Sequence, residues 1–127
     1  MKYVLITPAR NEEAFIEKTI QSVVNQTMLP ARWVIVNDGS TDGTGTIARR
    51  WAQLHHWIEV LDMPEHRDRS FAAKANCFAA GYDRVKSVDH DIVGNLDADI
   101  SFGSDHFEFL LRTWMTWKEL KWLVGTR

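Results

Sequence analysis

Four short apolar runs, Tyr3–Thr7, Trp33–Asn37, Ile58–Leu61 and Ile92–Leu96, recur along the chain with helix-like stretches between them. Strands that alternate with helices satisfy their backbone and cover their apolar faces best as a parallel sheet between two helical layers. The expected fold class is therefore α/β, a Rossmann-like parallel sheet with helices on both faces. Right-handed crossovers would bring the carboxyl ends of all the strands to one edge. A chain of 127 residues with 45% hydrophobic content has room for one core, so a single domain over residues 1–127 is expected.

The polar residues that close the runs carry the chemistry. Tyr3-Val4-Leu5-Ile6 is followed by Thr7-Pro8-Ala9-Arg10-Asn11-Glu12-Glu13. Pro8 is expected to stop the strand and Asn11 to cap the next helix, with Glu12 and Glu13 in its first turn. Ile16, Ile20, Val23 and Val24 supply that helix's apolar face. Arg10 offers charge to a phosphate, and Glu12 an acceptor to a base or ribose.

The second run leads into Val36-Asn37-Asp38-Gly39-Ser40-Thr41-Asp42-Gly43-Thr44. The glycines permit tight backbone geometry, and the short polar side chains can bond their own loop. Asp42 and Thr44 read as helix caps. Asp38, at a strand's carboxyl end, is an acceptor suited to the imide N–H of a uracil or the donor groups of a guanine. Arg67-Asp68-Arg69-Ser70-Phe71-Ala72-Ala73-Lys74 is a mixed-charge loop entering a helix, a setting that favours anions. Asp97-Ala98-Asp99, after Ile92-Val93-Gly94-Asn95-Leu96, offers hard oxygen ligands suited to Mg2+ or Mn2+ carrying a diphosphate.

Together these four segments resemble the nucleotide-binding half of glycosyltransferase family 2, the inverting enzymes of the GT-A fold. The likeness runs from about Tyr3 to Arg127, and the phrase Val36 to Thr44 is its strongest part. The resemblance implies that Asp38 contacts the nucleobase, and that Pro8, Arg10 and Glu12 line the nucleoside pocket. It places Asp97 at the ribose, Lys74 near the nucleotide, and Asp99 on the divalent cation with help from Asp97. The implied donor is a nucleoside-diphosphate sugar, a UDP-sugar being favoured, with Mg2+ or Mn2+ as cofactor. The acceptor is unknown: a glycan, a lipid or a small molecule.

The third helix departs from the family's usual Gly-Lys-Ala-x-Ala-Leu-Asn-x-Gly, with Ala73 for the Gly, Cys77 for an Ala and Ala79 for the Asn. Family members also continue beyond the strand that Trp122-Leu123-Val124-Gly125 begins, into an acceptor-binding half that supplies the general base. No residue here matches that base. The expected function is accordingly a glycosyltransferase or its donor-binding half, the alternative being a nucleotide-binding module without turnover, used for assembly or regulation. A nucleotidyltransferase is the weaker third reading, since Thr7 to Asn11 does not match its glycine-rich first loop.

Composition narrows the classes further. A net charge of -2 gives no basic footprint for nucleic acid. One cysteine, Cys77, excludes internal disulfides and cysteine zinc clusters and points to a reducing cytoplasm. No apolar run is long enough to span a membrane, so the expected location is cytoplasmic or peripheral at the cytoplasmic membrane face. The five histidines show no pairing that suggests zinc. In the stretch from Phe107 to Trp117, Phe107, Leu110, Leu111 and Trp114 share a helical face and are expected in the core. Phe109, Met115 and Trp117 point elsewhere and would favour self-association if the acceptor half were absent.

Overall fold

A computed structural model describes residues 1–65 and 71–114. Its elements run in the order β1 (Tyr3–Ala9), α1 (Ile16–Val24), β2 (Arg32–Asp38), α2 (Thr44–Leu54), β3 (Ile58–Met63), α3 (Phe71–Val85) and β4 (Ile92–Asn95). Residues 106–114 are also helical. The four strands form one parallel sheet in the order β3-β2-β1-β4. The strand expected at Trp122–Gly125 and residues 67–70 of the mixed-charge loop lie outside the described residues.

Both faces of the sheet are covered, and the side-chain period of two sorts the strand residues between them. Tyr3, Leu5 and Ala9 of β1 join Trp33 and Ile35 of β2 in a core shared with Ile16, Ile20 and Val23 of α1 and Ala48 of α2. Val4, Ile6, Val34 and Val36 face the other way, against Cys77 and Val85 of α3. This two-sided burial explains why the first two runs are continuously apolar. Across the first layer, Glu17 of α1 accepts hydrogen bonds from Arg50 at 2.7 Å and from the Trp51 indole of α2 at 2.9 Å.

Pro8 does not stop β1. The strand continues to Ala9, with Pro8 paired in register with Val36. The carbonyls of Lys2 and Ile6 bond toward the β4 side, and that of Tyr3 toward β2, so Pro8 belongs to the β4-facing set. The β4 ladder ends where Asn95 pairs with Ile6, so the missing N–H of Pro8 lies on a side with no ladder to interrupt.

The apolar stretch near the end also differs from expectation. Phe107 and Leu111 are buried, but Leu110 is 46% and Trp114 44% exposed. Among the described residues Phe107 packs against Tyr3, with tilted rings 5.0 Å apart, and meets Phe102 edge-on. Phe109 is exposed as expected, while Met115 and Trp117 lie outside the described residues.

Gly81 sets how closely α3 lies on the sheet. A β-carbon there would stand 2.6 Å from Ile6 Cγ2 and 3.0 Å from Val36 Cγ2. Alanine gains about 1 kcal/mol of helix propensity over glycine, whereas overpacking costs about 1–3 kcal/mol. Gly81→Ala should therefore lose up to about 2 kcal/mol in urea unfolding. A variant as stable as its parent would show that the contact yields freely.

Candidate functional site

The order β3-β2-β1-β4 reverses direction between β1 and β4. Helices α1 and α2 pack on one face and α3 on the other, so the loops leaving β1 and β4 part over that junction. Open α/β sheets place ligands in such a crevice at the strands' carboxyl ends. Here the crevice is a cleft of 660 Å3, into which Pro8, Arg10, Glu12, Asp38, Lys74, Asp97 and Asp99 all open. The structure thus brings together every site residue expected from sequence.

Two loops are buttressed against each other to hold the first four of these. Asn11 has a left-handed backbone, φ 53°, and does not cap α1, which begins five residues later. Its side-chain carbonyl instead accepts from the Thr41 amide at 2.9 Å, and its amide donates to the Ser40 hydroxyl at 3.0 Å. The Glu12 amide donates to the Thr44 hydroxyl at 2.8 Å, and Glu13 accepts from the Gly43 amide at 2.8 Å. Neither Asp42 nor Thr44 is the cap expected of them: Gly43 is the N-cap of α2 and Thr44 its first residue, while Asp42, one residue before the cap, accepts from the Thr44 amide at 3.0 Å and hydroxyl at 2.6 Å. Burial alone would raise the Asp42 carboxyl, but these bonds and one from the Glu13 amide outweigh it and hold it below its usual value.

Gly39 makes the turn possible. Its φ is 64°, and a β-carbon there would come within 2.5 Å of Glu65 Cα. Just before it, Asn37 and Asp38 point to opposite layers. Asn37 donates to Asp62 at 2.9 Å, whereas Asp38, 7% exposed, turns to the α3 side and the cleft.

On the opposite wall, past the end of β4, the chain turns at Ala98 and Asp99. Ala98 is buried in the core, and Asp97 and Asp99 are both exposed to the cleft. The buried Thr19 hydroxyl of α1 donates to the Ile100 carbonyl at 2.6 Å, which ties down the residue after Asp99. Gln26 binds farther along, donating to the Gly103 carbonyl at 2.6 Å and accepting from the Phe107 amide at 3.0 Å.

The cleft concentrates negative charge. Glu12 is held above the usual carboxylate range, first by burial and then by the charges of Asp99, Asp42 and Asp97, with Lys74 opposing. No group of three or more His, Cys, Asp or Glu side chains able to hold a metal occurs among the described residues. Two exposed carboxylates on one loop are nevertheless the donor set that Mg2+ uses when substrate phosphates complete its shell.

Lys74 lines the cleft from α3 together with Ala73, Ala75 and Phe78. Sequence reasoning missed Phe78, although its place four residues after Lys74 puts it on the same helical face. It also missed Asn95, the last residue of β4, and the buried thiol of Cys77 on α3. Burial, then the charge and hydrogen bond of Asp38, push that thiol up to about 11.

The model for Glycosyl transferase family 2 matches residues 4–119. The chain belongs to that family. It is 32% identical over 98 residues to the 4,4'-diaponeurosporenoate glycosyltransferase of Staphylococcus aureus, covering 77% of this chain and 24% of that protein. This family 2 chain superposes on the mannosyltransferase PcManGT from Pyrobaculum calidifontis, in complex with GDP-Man and Mn2+, with a TM-score of 0.58. That match has 28% identity and covers 80% of this chain and 28% of the other. S. aureus TarS 1-349 in complex with UDP shares the fold at a TM-score of 0.68 and 19% identity, over 88% of this chain and 31% of the other. The α/β architecture is thus that of the GT-A glycosyltransferases. The chain spans under a quarter of the length of the curated relatives it matches. No helix among the described residues is long and apolar enough to cross a membrane.

The raised Glu12 carboxyl has a pH signature. Its folded state holds the proton more tightly than the unfolded chain, so stability is greatest below the unfolded value and falls as pH rises toward the folded one. Glu12→Gln removes that loss. The variant should match the parent in acid and exceed it at neutral pH, as read from urea midpoints across the range. Parallel curves would mean that Glu12 carries no such strain.

Proposed function

We propose that this chain is the donor-binding half of a family 2 glycosyltransferase, which transfers a sugar from a nucleoside-diphosphate sugar to an acceptor hydroxyl with inversion. The observation that carries this reading is the convergence of Asp38, Glu12, Lys74, Asp97 and Asp99 on one cleft at the β1/β4 junction. A buried carboxylate at one wall, two exposed carboxylates at the other and a lysine beside them match the parts of such a donor: a base with an imide donor, a cation-bound diphosphate and its residual charge.

In this reading Asp38 accepts from the base, with Pro8, Arg10 and Glu12 around the nucleoside. Asp97 reaches the ribose and shares the cation with Asp99. Mg2+ or Mn2+ held there would take up charge as the nucleoside diphosphate leaves. The reported Mn2+ in PcManGT supports a cation of this kind. Lys74 stands at the phosphates as a point charge. The clamp between the loops of Asn11 and Thr41 keeps Glu12 and Asp38 in place before the donor arrives, which limits the ordering cost of binding. The general base that deprotonates the acceptor is assigned to no residue of this chain.

A uracil is favoured because a single carboxylate acceptor meets its imide N–H directly, and UDP is the ligand of TarS in the shared fold. Titration calorimetry with UDP and GDP, each with and without Mn2+, tests the reading. Metal-dependent binding of UDP is expected, and no binding to a folded sample would overturn it. Asp99→Ala should abolish the metal dependence, which would remove Asp99 from the cation if it persisted unchanged. Asp38→Ala should weaken UDP binding by about 1–3 kcal/mol, the cost of losing a buried charged hydrogen bond. Equal losses for UDP and GDP would count against base reading at this position.

A further inference from the structure

Asp38, Pro8 and Asn95 lie on one diagonal across the sheet. Pro8 pairs with Val36, two residues below Asp38, and Asn95 pairs with Ile6, two residues below Pro8. Strand residues two apart share a face, so Asp38 follows Val34 and Val36, Pro8 follows Val4 and Ile6, and Asn95 follows Val93, all toward the layer of α3. With neighbouring strands about 4.8 Å apart and two residues rising about 6.6 Å, each step of the diagonal is roughly 8 Å. All three residues open into the cleft, and Lys74 and Phe78 of α3 line it with them. Asn95 is thus the low end of a line that begins at Asp38, one strand beyond Pro8 and two residues before Asp97.

We infer that Asn95 is a specificity-determining residue of the donor cleft, its side-chain amide donating to the ribose hydroxyls of the bound nucleotide. The inference rests on the donor-site reading of the cleft and deepens it. With the base at Asp38, the diagonal carries the nucleoside over Pro8 and delivers its sugar to the end of β4. A span of roughly 16 Å, less two side chains and a hydrogen bond at each end, leaves a gap about as long as that from a pyrimidine's imide nitrogen to the ribose diol. The two side chains at that end are complementary in chemistry. A hydroxyl both donates and accepts, whereas the Asp97 carboxylate only accepts, so it takes the protons of the diol and leaves the oxygen lone pairs unmet. The N–H groups of the Asn95 amide supply the missing donors. On the same face Val93 packs into the α3 cluster, while Asn95 is exposed to the cleft, so the amide stands where packing gives way to ligand space.

The test compares the parent chain with Asn95→Ala, titrating each with UDP and with 2′,3′-dideoxy-UDP in the presence of Mg2+. The parent should bind UDP at least about tenfold more tightly than the dideoxy compound, because a site that pairs with hydroxyls is left unmet by a ligand without them. Asn95→Ala should bind UDP about threefold to tenfold more weakly than the parent, the range of one modest hydrogen bond. Its affinity for dideoxy-UDP should equal the parent's, an equality that also shows the variant to be folded with the rest of the cleft intact. Equal UDP binding by the two chains, or equal losses for both compounds, would overturn the assignment. If the parent binds neither compound, the donor reading fails and takes the role of Asn95 with it. If parent and variant bind UDP with the same preference over dideoxy-UDP, the assignment of Asn95 fails alone.

Discussion

The two-sided burial of β1 and β2 is the constraint on which the rest of the molecule depends. With helices against both faces, each residue of these strands is committed to one layer or the other by its parity. The commitment carries through to the strand ends, where Asn37 goes to the α2 side and ties to Asp62 while Asp38 goes to the α3 side and the cleft. A slip of one residue in β2 would exchange the two and put an amide where the carboxylate now stands. At Asp97-Ala98-Asp99, beyond the end of β4, a turn buries the middle residue in the core and leaves both acids outside.

Polar groups do at the strand ends what apolar packing does below. The loop after β1 and the loop after β2 exchange hydrogen bonds through Asn11, Glu12, Glu13, Ser40, Thr41, Gly43 and Thr44, and Thr19 secures the residue after Asp99. Few of these side chains need to touch a ligand. They hold the ones that do, and they hold them against electrostatic cost, since Glu12 sits near Asp42, Asp97 and Asp99. A site that keeps like charges close at rest is one whose repulsion a cation relieves. On the proposed reading, this is why a family 2 donor pocket can be rigid and acidic at once.

The amino-acid sequence by itself determined a good deal. Apolar runs that alternate with helical stretches point to a parallel α/β sheet, because helices crossing over between strands cover both of its faces. That topology obliges the carboxyl ends to meet, so Pro8, Arg10, Glu12, Asp38, Lys74, Asp97 and Asp99 could be assembled into one cleft without any coordinates. What only the tertiary structure decided concerns partners far apart in the chain. Pro8 stays inside β1 because β4 ends early, Asn11 serves Thr41 and not its own helix, and among the described residues Phe107 and Leu111 are buried while Leu110 and Trp114 are exposed. In the sequence Cys77 stands as a departure from the family's helix pattern, and the packing of α3 on the sheet buries it among Val4, Ile6, Val34 and Val36. Periodicity is a local property and is written in neighbouring residues, whereas hydrogen-bond partners and covering surfaces are chosen by packing across tens of residues, which no local pattern records.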